Sequence, residues 1–179
     1  VVGKTGSGKS TLIKLLLREY DQYDGKITYD NKNIKDINLY HLRQLIGYVP
    51  QDNFLFSMSI LDDIRFGNPD ASFEDVIKAA KIAGVHDDIM GFENTYETLM
   101  GERGISLSGG QRQRVSIARA LLMDSNILIL DDSLSAVDAK TESLILEGLK
   151  DNRKNKTNII LAHRLSAIKH ADLILVLDE

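Results

Sequence analysis

The chain has 179 residues, enough for one domain with a sizeable core. Hydrophobic residues make up 43% and charged residues 27%, and the formal net charge of −4 gives no chain-wide basic field of the kind nucleic-acid binding uses. There is no cysteine, which excludes a disulfide framework and a zinc–cysteine site.

No apolar run approaches the roughly 18 residues of a membrane span, and no signal peptide opens the chain. The first residue is Val1, inside a motif, so the sequence reads as a piece of a longer polypeptide. Val1 and Val2 read as the end of a strand, and "GKTGSGKST" (Gly3 to Thr11) follows. It matches G-x-x-x-x-G-K-[ST], the phosphate-binding P-loop. The segment includes Thr5, Gly6 and Ser7, with Gly8, Lys9, Ser10 and Thr11 at its helical end. Glycines let the backbone curl so that successive N–H groups face phosphate oxygens. The helix N-terminus adds partial positive charge. Lys9 is placed to reach the β- and γ-phosphates of a nucleotide, and the Ser10 hydroxyl to join Mg²⁺. A flexible Gly/Ser turn would explain the glycines alone, but not strand, loop and helix in register.

A helix is expected over 9–20, where leucines and isoleucine recur at helical spacing. Four apolar runs without strict alternation suit strands of a parallel sheet buried on both faces: "IGYV" (46–49), "ILIL" (127–130), "NIILA" (158–162) and "LILVL" (173–177). Further helices are expected over 72–84, 109–123 and 139–154. The first has Ser72 as N-cap and Gly84 as stop, and the second buries Val115, Ala118, Leu121 and Leu122. Strands alternating with helices predict an α/β domain. The strandless stretch from about 60 to 115 predicts a helical lobe beside a P-loop core of about 1–50 and 116–179.

"LSGGQ" (Leu107 to Gln111) opens the 109–123 helix with Ser108, Gly109 and Gly110, a second anion-binding turn. A small capped glycine turn would be its plain reading. Asp131 ends the "ILILD" strand, where a P-loop enzyme holds its metal. P-loop, LSGGQ, "ILILDD", "SAVD" and "LAHR", in that order over nearly the whole chain, resemble the nucleotide-binding domain of ABC transporters.

The resemblance implies ATP and Mg²⁺ as cofactors and a P-loop α/β core with a helical signature lobe. It implies that Gln51 in "YVPQD" touches Mg²⁺ and the attacking water, that Ser135 to Asp138 cross a dimer interface, and that His163 contacts the γ-phosphate. It also implies a head-to-tail dimer, each ATP lying between one domain's P-loop and the other's LSGGQ. "TLMGERG" (98–104) and "SMSILDDIRFG" (57–67) are similar to segments of the exporter subfamily. The first of these contacts cytoplasmic extensions of the membrane helices. The expectation is therefore an ATPase domain powering export, of drugs or lipids among others, at the cytoplasmic face of the cell membrane. Transmembrane domains and a second ATPase domain are its partners, and nucleic acid is not.

Besides the aromatic residue that stacks on adenine, which in the family lies upstream of the P-loop and outside this sequence, two departures from the family pattern matter. "DDSL" stands where D-E-P-T is common, and Asp132 occupies the position of the usual catalytic glutamate. It is shorter by one C–C bond, about 1.5 Å, and a 1 Å misplacement can cost about 10²-fold. This resembles the less active half of heterodimeric exporters, so the second domain is expected to belong to a different subunit. The rival readings are a soluble ABC ATPase of DNA repair or translation, and a non-catalytic ATP-gated dimerisation module.

Overall fold

The computed structural model describes residues 1–101, 105–162, 168–169 and 171–178. His163 and part of the 98–104 segment lie outside the described residues.

Three strands form the centre: β4 (Ile46–Val49), β5 (Ile127–Asp131) and β6 (Thr157–Leu161), all parallel, in the order β4-β5-β6. The short β1 (Val2–Gly3) pairs in parallel with β7 (Val176–Leu177). Val1 joins this pair to the centre, its N donating to Ile160 O at 2.7 Å and its O accepting from Ala162 N at 3.3 Å. A hairpin, β2 (Thr28–Tyr29) with β3 (Lys32–Asn33), stands apart; Asp30 and Asn31 take the positive φ values its tight turn needs.

The apolar runs form strands as expected, with one difference. Leu128, Ile129 and Leu130 are fully buried, as a strand covered on both faces requires. The 173–177 run forms only β7, and Leu173 and Val176 are 73% and 69% exposed. Among the described residues β7 pairs only with the two-residue β1, so its apolar residues have little described structure to pack against.

The helices are α1 (Lys9–Leu16), α2 (Leu39–Gln44), α3 (Ile60–Arg65), α4 (Phe73–Ile82), α5 (His86–Met90), α6 (Gly109–Leu122) and α7 (Ala139–Asn152). Helix α1 stops earlier than expected because Arg18 turns into the left-handed region, at φ 51°, and its guanidinium then donates to Ile34 O and Ile37 O. Ser72 caps α4 with a reciprocal bond to Asp75, and Gly84 (φ 68°) follows its end, as the sequence predicted. Asp138 caps α7 by accepting from Lys140 N and Thr141 N.

Two apolar cores lie on the two sides of the sheet. One joins α3 to α7 with Val49, Leu128 and Leu130; the other joins α1 and α2 with Ile46, Ile129 and Leu161. Inside the first, Asp63 has no exposed surface and pairs with Arg119 of α6 at 3.2 Å. Asp63 also accepts from Phe56 N, and Arg119 donates to Phe54 O, so the pair pins the 54–56 loop to α6. Burial pushes the Asp63 carboxyl above its usual range, against the pull of the Phe56 N–H and of Arg119. Removing one partner of a buried pair leaves an uncompensated charge, at a cost of about 3 kcal/mol. Arg119→Met should therefore lower stability by about that amount at neutral pH. A group with a raised folded pKa favours folding when protonated and loses that contribution as pH rises through its folded value. The loss in Arg119→Met should accordingly shrink as pH falls towards the carboxylate range. Thermal unfolding compared at pH 7 and pH 5 checks both points, and Asp63→Asn in the same background should recover part of the loss.

Candidate functional site

The site is built on the carboxyl ends of the parallel strands. Strand β1 ends at Gly3, which must be glycine. A Cβ there would lie 2.4 Å from Leu177 O and 2.5 Å from Ser7 Oγ. Gly6 (φ 90°) and Gly8 (φ 87°) take left-handed conformations that close the loop and turn it into α1. No side chain caps α1, so its first N–H groups stay free for an anion. Lys9, almost buried at 8% exposure, folds across the loop and donates to Gly3 O at 2.8 Å and Lys4 O at 2.7 Å. An ammonium has three donors, so one remains. The Ser7 hydroxyl is buried in the loop without a hydrogen-bond partner among the described residues. A curled loop, pinned by Ser7 N donating to Lys4 O at 3.2 Å and leading into the uncapped N–H groups of α1, fits a polyphosphate together with the buried ammonium and the orphaned hydroxyl.

Ser10, on the first turn of α1, donates to Asp131 Oδ1 at 3.3 Å, and Tyr48 of β4 donates to Oδ2 at 3.3 Å. Asp131 is 4% exposed. Burial, then the Asp131 charge, pushes the Tyr48 phenol up to about 12, so it remains a donor at any pH the protein meets. The structure thus brings Ser10, the residue after Lys9, against Asp131. Tyr48 was missed by the sequence reading. Its only signal is its place in the last residues of a strand that leads into "PQD".

Asp132 follows at φ 49°, a conformation uncommon outside glycine but several-fold enriched in aspartate. Its N–H donates to Leu161 O at 3.1 Å, and its carbonyl accepts from Ser135 Oγ at 2.8 Å. Gln51 is exposed and lines a cleft of about 570 Å³ shared with Phe54, Phe56, Gly101, Leu107 and Gln113. Its side chain is not brought against Asp131 by any described hydrogen bond.

The signature turn has its own internal logic. Ser108 Oγ accepts from Gln111 N, and Gln111 Oε1 accepts from Ser108 N at 3.0 Å. Gln111 Nε2 then donates to Asp88 at 2.9 Å, and Asp88 also pairs with Arg114 at 2.7 Å. The Gln111 amide is therefore committed within the chain. The Gly109 and Gly110 N–H groups and the Ser108 hydroxyl proton have no hydrogen-bond partner among the described residues. Asp88 was missed because its partners lie 23 and 26 residues away.

The family model described as ABC transporter matches residues 1–135. The chain is 53% identical over 178 residues to a probable multidrug resistance ABC transporter ATP-binding/permease protein of Bacillus subtilis, covering 99% of this chain and 30% of that protein. It is 51% identical over 178 residues to a putative multidrug export ATP-binding/permease protein of Staphylococcus aureus, covering 99% of this chain and 31% of that protein. A solved bacterial Atm1-family ABC exporter with ATP bound superposes with a TM-score of 0.94 at 44% identity, over 99% of this chain and 31% of that one. The chain spans under a third of the length of these relatives. It belongs to the ABC transporter family, as an ATP-binding domain of the multidrug-type exporter branch with the fold of an ATPase.

Proposed function

We propose that this chain binds Mg-ATP and hydrolyses it to drive export through transmembrane domains of the same longer polypeptide, at the cytoplasmic face of a cell membrane. The observation that carries the reading is the meeting of Ser10 with Asp131, 121 residues apart, next in the chain to the Lys9 ammonium. That arrangement suits a magnesium–polyphosphate. The ATP-binding/permease character of the relatives supports the membrane partner. The P-loop core spans about 1–50 and 116–179, with a helical lobe over about 60–115.

The residues divide the work. The N–H groups of the loop glycines and of the first turn of α1 cradle the phosphates, while Ser7 N holds the loop's curl by donating to Lys4 O at 3.2 Å, and Lys9 turns from the Gly3 and Lys4 carbonyls to meet them. Ser10 and Asp131, joined by Gln51, would hold Mg²⁺, and Tyr48 orients the Asp131 carboxylate by donating to Oδ2. Bound Mg²⁺ would neutralise charge on the transferring phosphoryl group. Asp132 polarises the attacking water, and the family resemblance assigns the γ-phosphate contact to His163. Ser108, Gly109 and Gly110 serve the ATP held by a second ATPase domain packed head to tail, with Gln111 shaping their turn. The cleft beside Gln51 accepts cytoplasmic loops of the membrane domains.

Asp132 makes this chain's own site slow. An intact signature turn beside a short carboxylate fits a heterodimer whose partner brings the glutamate. The fast site then combines that glutamate with this chain's Ser108.

These roles can be tested separately. Charge-assisted hydrogen bonds contribute about 1.5–3 kcal/mol each, so Lys9→Ala should weaken Mg-ATP binding at this chain's P-loop by about 10- to 100-fold. Photolabelling of this chain with an ATP analogue reads that directly, and unchanged labelling would rule out the P-loop assignment. In the assembled exporter, Asp132→Asn should leave most ATPase activity, while Ser108→Arg should lower it by more than about 10-fold. Loss of all turnover in Asp132→Asn, or function as a homodimer, would instead make Asp132 a working base.

A further inference from the structure

Gln113 is a polar residue on the buried face of α6, and it is 5% exposed. Both ends of its amide are used, and both reach the same turn. Its Oε1 accepts from Ala136 N at 3.0 Å, and its Nε2 donates to Ser135 Oγ at 3.3 Å. Ser135 Oγ in turn donates to the Asp132 carbonyl at 2.8 Å. A hydroxyl has one proton to give. Since that proton goes to Asp132, Ser135 must receive a hydrogen bond from Gln113 rather than give one. The backbone of α6 also lies close against the same turn. A Cβ on Gly110 would sit 2.9 Å from Ala136 O, too close to be accommodated without a shift.

We propose that Gln113 is a positioning residue that latches the Ser135–Ala136 turn, and through it the backbone of Asp132, to the signature helix. The signature turn serves one ATP site and Asp132 the other, so the latch makes the two half-sites of one chain a single mechanical unit. This rests on the ATPase reading given above. Asp132 stands in a strained left-handed conformation at φ 49°. Such a conformation persists only where its surroundings over-determine it. The Gln113–Ser135–Asp132 relay supplies part of that determination. Without it the Asp132 peptide can relax and the turn can part from Gly110. The second of these movements reaches the fast site, because Gly110 belongs to the signature turn.

The test uses the full-length exporter assembled with its partner, in membranes, with steady-state kinetics on Mg-ATP. Gln113→Glu keeps the shape and the acceptor for Ala136 N but removes the donor to Ser135. The single Ser135 proton must then choose between the introduced carboxylate and the Asp132 carbonyl. Displacement of a catalytic group by a fraction of an ångström up to 1 Å lowers turnover by about 10- to 100-fold. The expected result is kcat about 10-fold lower with KM within about twofold, because the P-loop contacts are untouched. Ser135→Ala, on an exposed side chain, should give a similar loss even if Gln113→Glu fails to fold. The double variant should be no slower than the slower single, since both break one relay. A kcat within about threefold of wild type in Ser135→Ala, a KM rise that matches the kcat loss, or losses that multiply in the double variant would each overturn the latch. An exporter with no ATPase activity before substitution would instead refute the functional reading itself.

Discussion

The parallel pairing of β5 between β4 and β6 is the constraint on which the molecule depends. Leu128, Ile129 and Leu130 have no water on either face, so the strand cannot slip by one residue without exchanging the side chains of its two cores. With the register fixed, all three central strands end on one edge. Asp131 stands there at the end of β5, and Val49 at the end of β4 sends the chain towards Gln51. β1, stitched to β6 through Val1, delivers the P-loop to the same edge. Ser10 and Asp131 meet because the sheet carries them there, not because of anything local to either. Ligands of open parallel sheets gather at this edge for that reason.

Around this fixed centre, α6 is the common anchor of the loops. Arg119 holds the 54–56 loop through Asp63 and Phe54 O. Arg114 and Gln111 reach Asp88 on α5. Gln113 holds the turn after Asp132. These polar side chains are buried or partly buried, and such groups are stable only when paired. Each pairing therefore fixes a loop relative to one helix. A displacement of α6 cannot leave the cleft beside Gln51, the signature turn and the Asp132 turn all unmoved.

Much of this was legible in the sequence. The P-loop, the three central strands, the capped start of α4 and the run ending in Asp131 carry local signals: glycine spacing, unbroken apolar runs, and Ser72 three residues before an acid. The 173–177 run misled because an apolar composition states what a strand can bury, not what lies beside it. Helix α1 ended early because Arg18 found partners in Ile34 and Ile37, which no local pattern announces. Asp88 was invisible for the same reason, and Tyr48 showed only through its place near the end of the strand before "PQD". Gln113 was not wholly hidden. It lies four and seven residues before Ile117 and Ala120, both buried, so it interrupts an apolar stripe with a polar side chain. A buried amide of that kind must have a partner, and a partner across the fold marks a position that something depends on.

The two neighbouring aspartates show how backbone and chemistry are joined. Asp131 has extended backbone, is buried, and is held by Ser10 and Tyr48. Asp132 has left-handed backbone with its N–H tied to Leu161 and its carbonyl tied to Ser135. A short carboxylate could reach its water only if its backbone advanced by the missing ~1.5 Å. Here such an advance would break the hydrogen bonds at both ends of the residue. The left-handed conformation points the same way, since aspartate tolerates it better than longer side chains do. Ser133, which stands where the family pattern has proline, is 1% exposed with its hydroxyl unpartnered among the described residues. The turn is thus held in place by Gln113 and Ser135 rather than stiffened by a proline ring. In the proposed heterodimer, the short carboxylate and its fixed backbone act together to make this chain's own hydrolytic site the slower of the pair.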